Sequence, residues 1–160
     1  MNKTTSTRRT PRKGATSEPE DVRTGFSVPE IKRAFVDNLF FQQAKFAAVA
    51  TQHDYYLALA YTVRDRLLHR AIKSAETYFE QRSRTVVYLS AEYLLGPHLG
   101  NNLVNLGIYA QAQQAMAEMG LSLDKLLEEE EEPGLGNGCL GRLAACYMDS
   151  LATMAIPTIG

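Results

Sequence analysis

The residue pattern points to an α/β fold rich in helix, with one core parallel strand near 85–90. Three features carry that expectation: two capping boxes that each open a long amphipathic run, one β-branched apolar segment, and a glycine-dense loop directly before a helical run. Composition sets the frame. Hydrophobic residues make up 45% of the 160-residue chain and charged residues 22%, enough apolar material for a packed core in a soluble globular class. A net charge of −1 gives no bulk reason to expect nucleic acid, an acidic substrate or an anionic membrane as partner.

Residues 1–24 are rich in Ser, Thr, Arg and Pro, and Lys3, Arg8, Arg9, Arg12 and Lys13 precede any acidic residue. The stretch lacks the apolar face of a transit helix and the apolar core of a secretory signal. A flexible basic arm is expected over 1–26, followed by an incomplete domain over 27–160. Regular structure starts at Ser27, whose S-x-x-E box with Glu30 precedes Ile31, Phe35, Leu39 and Phe40 at helical spacing. One helix to about Ala50 is the expectation. Thr51 and Asp54 repeat the capping pattern, and Tyr56, Leu59, Ala60, Val63 and Leu67 line one side of a second helix to about Glu80.

Thr85, Val86, Val87, Tyr88 and Leu89 are apolar toward both faces, which suits a buried parallel strand. The remaining sequence offers no second convincing strand, so its partners are expected elsewhere. Helix resumes at 108–119, closed by Gly120, and Ser122 caps a further helix through Leu123, Leu126 and Leu127. Glu128, Glu129, Glu130, Glu131 and Glu132 follow, expected as a solvated helix end. Cys139 and Cys146 match neither a metal knuckle nor a redox pair, and His53, His69 and His98 have no second ligand at metal spacing, so no metal is expected.

The most informative stretch is PGLGNGCLGR over 133–142, ahead of a helical run. Glycines leave backbone N–H groups approachable, and a helix amino terminus adds a favourable dipole for an anion. Gly136, Gly138 and Gly141 also satisfy G-x-G-x-x-G, but no strand is expected directly before them and no acidic residue follows at the required distance. A tight turn that only lets a helix pack closely is an equal alternative to anion binding on this motif alone.

The run GLGNGCLGRLAACYMDSLAT over 134–153 resembles the glycine-loop signature of the glycogen, starch and maltodextrin phosphorylases. DYYLALAYTVRDRL over 54–67, VYLSAEYLL over 87–95 and NNLVNL over 101–106 resemble that α-glucan phosphorylase family in the same order. The resemblance implies a two-domain, GT-B-like glycosyltransferase whose amino-terminal part this chain would supply. It implies phosphorolysis of α-1,4-glucan ends to glucose 1-phosphate, pyridoxal phosphate as cofactor and a homodimer; cysteine usage points to a reducing, cytoplasmic setting, and charge and hydropathy give no reason to expect nucleic acid or membrane as partner.

By the same analogy the substrate and phosphate site would take in Asn137, Gly138, Cys139, Leu140 and Glu92: the backbone around Gly138, Cys139 and Leu140 would face phosphate and glucosyl, with Asn137 shaping the turn and Glu92 on the wall of the same cleft. No catalytic residue is expected within the chain, and the family's Schiff-base lysine lies further on, so the chain alone is expected to be inactive and free of cofactor. Cys139 stands where the family has glycine. The positions matching the nucleotide site of the animal enzymes hold Ala75, Glu76 and Phe79, which makes nucleotide control doubtful. Phe46 to Val49 would lie at a subunit contact. Arg142 is an anion ligand or a partner of the Glu run in equal measure. Other readings are a free-standing assembly module and, more distantly, a nucleotide-binding protein.

Overall fold

The computed structural model describes residues 23–160. Five helices build one body around a shared core, and a sixth helix with two small sheets lies beside it. The capping boxes form as the sequence requires. Ser27 opens α1 (Val28–Asp37): the Ser27 N–H donates to Glu30 Oε2 at 2.9 Å, and the Glu30 N–H reaches Ser27 Oγ at 3.5 Å. Thr51 opens α2 (Gln52–Gln81) in the same reciprocal way with Asp54. At 30 residues α2 runs about 45 Å, and Ala58, Leu59, Thr62, Val63 and Arg66 in its first half are buried while 68–81 are exposed.

The single helix expected to Ala50 does not form. After α1 the chain makes a π-helical turn (Asn38–Gln42), then leaves helix with Ala44 at φ +53°. A tertiary demand overrides the periodicity. Asn38 is buried and donates to Thr62 Oγ1 of α2 at 3.1 Å, while Gln43 Nε2 donates to the Asp54 carbonyl at 2.8 Å. Tyr55 OH donates to the Ala47 carbonyl, fixing the returning chain on the start of α2. The basic arm expected over 1–26 lies outside the described residues as far as 22. Its last residues are held on α2: Arg66 Nε donates to the Gly25 carbonyl at 2.9 Å, and Arg23 pairs with Asp65 at 3.0 Å. Burial lowers the pKa of Arg66.

Three shorter helices close the body: α3 (Leu99–Leu106), α4 (Tyr109–Glu118) and α5 (Leu123–Leu127). Gly120, at φ +76°, ends α4 as the sequence suggests, with the Leu121 N–H returning to the Met116 carbonyl at 2.9 Å. Ser122 stands at the expected cap position of α5, but its side chain makes no capping bond. Ile31, Phe35, Leu59, Val63, Leu103, Ile108, Met116 and Leu126 form the core common to these helices. Lys32 of α1 reaches Glu118 of α4 at 2.9 Å at the surface.

The strand expected near 85–90 is present as β1 (Val86–Val87), and it is parallel, but its setting differs from the expectation in two ways. A partner does exist within the chain: β4 (Thr158–Ile159) pairs with it, Val86 opposite Thr158 and Val87 opposite Ile159. Neither strand is buried. Val86 is 43% and Val87 62% exposed, because only two residues pair in each strand. A second ladder joins β2 (Tyr93–Leu94) to β3 (Gly134–Leu135) in antiparallel sense. Between β3 and β4 runs α6 (Cys139–Thr153), which buries Gly141 and Ala144.

Candidate functional site

The glycine loop is positioned from both sides. On its entry side β3 pairs with β2, so Gly134 sits opposite Leu94 and Leu135 opposite Tyr93. On its exit side α6 packs on the same strand. A Cβ added at Gly141 would stand 3.1 Å from the Leu94 nitrogen and 3.3 Å from Glu92 Cβ, so glycine is what lets the helix approach this closely. Gly136 has φ +82°, and a Cβ there would lie 2.6 Å from Glu92 Cγ. Glu92 is thus folded against the loop backbone, half-buried, with its N–H donating to Ser90 Oγ at 3.2 Å. The structure brings Glu92 and the loop backbone together.

The loop passes directly into α6. Gly138 (φ +155°) is its cap, and the first intrahelical bond runs from the Arg142 N–H to the Gly138 carbonyl at 3.1 Å. The N–H groups of Cys139, Leu140 and Gly141 precede that bond, so they have no acceptor within the helix. They add to the positive end of a 15-residue helix dipole. Asn137, Gly138, Cys139 and Leu140 are all exposed. The Asn137 side chain makes no hydrogen bond among the described residues, so the turn it was expected to shape is held by backbone alone. Cys139 is helical, not in the left-handed region, so the thiol adds bulk at the loop without backbone strain.

A strand does precede G-x-G-x-x-G, contrary to the sequence expectation, yet the dinucleotide geometry is absent. β3 is antiparallel to β2, and α6 leads to β4 in the other sheet, so no parallel βαβ crossover encloses the loop.

Behind the loop lies a half-open cavity of about 520 Å³ lined by Pro97, His98, Glu132, Arg142, Cys146 and Asp149, among others. Arg142 shares this cavity with Glu132 and Asp149 but forms no ion pair among the described residues. His98 approaches from the start of α3, and its buried Nε2 has no hydrogen-bond partner among the described residues. The other histidines stay apart: His53 lies in the first turn of α2 against Tyr56, and His69 is exposed further along the helix. Ser150 and Thr153 bond back to the carbonyls of Cys146 and Asp149 along α6.

The described residues hold four lysines: Lys32 pairs with Glu118, Lys45 lies 3.9 Å from Asp54, and Lys73 and Lys125 are exposed on α2 and α5. None of the four lines the cavity. Among them there is also no group of three or more metal-ligating side chains, and no helix long and apolar enough to cross a membrane.

One residue near the site escaped the sequence reading. Glu130, taken as part of a solvated run, is half-buried and accepts hydrogen bonds from the N–H groups of His98 at 2.8 Å and Leu99 at 2.9 Å. It also helps to raise the pKa of Tyr56, second to burial of that phenol. Nothing local marks it among five glutamates.

Comparison with known proteins bears on the same segments. The carbohydrate phosphorylase family matches residues 116–160, which include the loop and α6. Over 141 residues the chain is 65% identical to glycogen phosphorylase of Synechocystis sp., covering 88% of this chain and 17% of that protein. It is 46% identical over 133 residues to the brain form of glycogen phosphorylase of Bos taurus, covering 83% and 16%. With the liver form of Homo sapiens the identity is 44% over 134 residues, covering 84% and 16%. The chain therefore spans about one sixth of the length of these relatives. Similarity to the carbohydrate phosphorylase family thus runs through the capped helices, Glu92 and the glycine loop together.

Proposed function

We infer that the chain supplies the phosphate-facing glycine loop of an α-1,4-glucan phosphorylase, in which inorganic phosphate cleaves the terminal linkage of glycogen, starch or maltodextrin and yields glucose 1-phosphate. The observation that carries this reading is the junction of loop and helix. Three N–H groups without helical acceptors, at Cys139, Leu140 and Gly141, open at an exposed helix amino terminus beside a half-buried carboxylate, Glu92. In a phosphorolytic step such N–H groups bind a phosphate dianion and orient it toward the sugar carbon it attacks. Glu92 would accept from sugar hydroxyls, and its repulsion of phosphate would keep the two ligands in their own halves of the cleft.

The relatives named glycogen phosphorylase support the assignment. The rest of the proposal follows from the likeness to that family: a two-domain GT-B-like architecture, pyridoxal phosphate as cofactor, a cytoplasmic setting, and a homodimer. Phe46 and Val49, 57% and 50% exposed at the turn before α2, are placed to serve as its contact.

The test is an assay of the full reading-frame product for release of glucose 1-phosphate from glycogen, with and without phosphate. Phosphate-dependent release is expected. Hydrolysis to glucose, or no reaction with any α-glucan, would overturn the reading.

A further inference from the structure

We propose that Glu130 is a positioning residue for the glycine loop, fastening the chain that enters the loop to the amino terminus of α3 and so fixing where the loop presents its N–H groups. The proposal rests on the reading of that loop as a phosphate site.

Five consecutive glutamates precede Pro133, and of these five only Glu130 accepts a hydrogen bond through its carboxylate from a described residue. Both of its oxygens are used. Oε1 receives the His98 N–H at 2.8 Å and the Leu99 N–H at 3.2 Å, and Oε2 receives the Leu99 N–H at 2.9 Å. α3 needs such a partner, because the side chain of its own cap residue, His98, makes no capping bond. A carboxylate at that end meets unpaired N–H donors and the positive helix terminus together. The cap thus comes from a residue more than thirty positions away, and the bond is tertiary.

Its place relative to the loop gives it a second role. Four residues after Glu130 the β2–β3 ladder begins, with Gly134 opposite Leu94, and four residues after Leu94 stands His98. Glu130 and the ladder therefore tie the same two segments at two points, closing a small ring of chain. No other hydrogen bond joins residues 95–99 to 128–133. A two-residue ladder alone is a weak hinge. With a second tie on the far side of Pro133, β3 has one direction, and Gly136 meets Glu92 in one way.

The test uses the full reading-frame product carrying Glu130→Ala, Glu130→Gln or the control Glu131→Ala. Hydrogen exchange at amides 134–141 should accelerate roughly tenfold in Glu130→Ala, and the apparent KM for phosphate should rise on the order of tenfold while that for glucan moves less than twofold. Glu130→Gln keeps one acceptor oxygen and should recover part of both effects; Glu131→Ala should match the parent. If Glu130→Ala lowers the melting temperature but leaves loop exchange and the ratio of the two KM values unchanged, Glu130 is only a helix cap and the proposal falls. Should Glu130→Ala fail to fold, Glu130→Gln carries the same comparisons. An absence of phosphorolysis in the parent defeats the proposed function instead, and the exchange measurement then decides the tether by itself.

Discussion

Gly136→Ala is the substitution that tests the loop geometry most sharply. The new methyl would enter a residue at φ +82°, and its carbon would stand 2.6 Å from Glu92 Cγ and 2.8 Å from Cδ. The left-handed backbone costs about 1 kcal/mol for alanine. Relieving the contact costs about 1–3 kcal/mol more, because the half-buried Glu92 side chain must move off the loop backbone. A loss of about 2–4 kcal/mol corresponds to roughly 30-fold to several-hundred-fold in the population of the native loop. The assay is initial-rate phosphorolysis of glycogen at varied phosphate, with Gly107→Ala as control. Gly107 has a similar φ, +73°, at the end of α3, and a Cβ there meets nothing within 4 Å. The control should cost about 1 kcal/mol of stability and leave phosphate kinetics alone. If Gly136→Ala keeps phosphate kcat/KM within twofold of the parent, or if Gly107→Ala loses as much, the packing of loop on Glu92 does not govern the site.

Other consequences are independent of the loop. Arg66→Ala removes the buried donor to the Gly25 and Thr62 carbonyls and should destabilise the helical body by about 2–4 kcal/mol, read by denaturant titration of the amides in α1 and α2 by hydrogen exchange. Thr51→Ala should cost about 1 kcal/mol through loss of the α2 cap, measured in the same way. Asp54 and Glu30 have carboxyl pKa values below the ordinary range, Asp54 chiefly through the Thr51 backbone N–H and Glu30 chiefly through the Ser27 hydroxyl. Because the folded values lie below the unfolded ones, the stability they contribute is complete above the ordinary carboxylate range and disappears as pH falls through the folded values. Melting curves from about pH 6 to 3 should therefore drop at the acid end, and Asp54→Asn should shallow that drop; an unchanged slope would contradict the linkage.

What the sequence revealed depended on distance along the chain. Ser27 with Glu30, Thr51 with Asp54, and Gly120 all act within one turn, so their residue types announce them. The end of α1 could not be read, because it is decided by Asn38 bonding to Thr62, 24 residues on, against a periodicity that continues to Phe40. Thr158 and Ile159 are too few to show alternation, so the partner of β1 was invisible until the chain was folded. Glu130 was hidden by its four identical neighbours, and only its tertiary contacts with His98 and Leu99 distinguish it.

The glycine loop was legible as a constrained segment but divided in purpose. Gly141 serves close packing against Leu94, and Gly136 serves both a turn and the approach to Glu92. Cys139 begins α6 in helical conformation, so replacing it with glycine relieves crowding and no backbone strain.

The central claim is that phosphate sits where Cys139 opens α6, and the thiol itself reports on it. In the full reading-frame product, the rates of alkylation at Cys139 and Cys146, both exposed and seven residues apart on one helix, can be followed site by site by mass spectrometry. Phosphate should slow labelling at Cys139 several-fold at concentrations near its KM while leaving Cys146 unaffected, and labelling of Cys139 should abolish phosphorolysis. Equal rates at Cys139 with and without phosphate, or full activity after its alkylation, would remove the loop from the phosphate site.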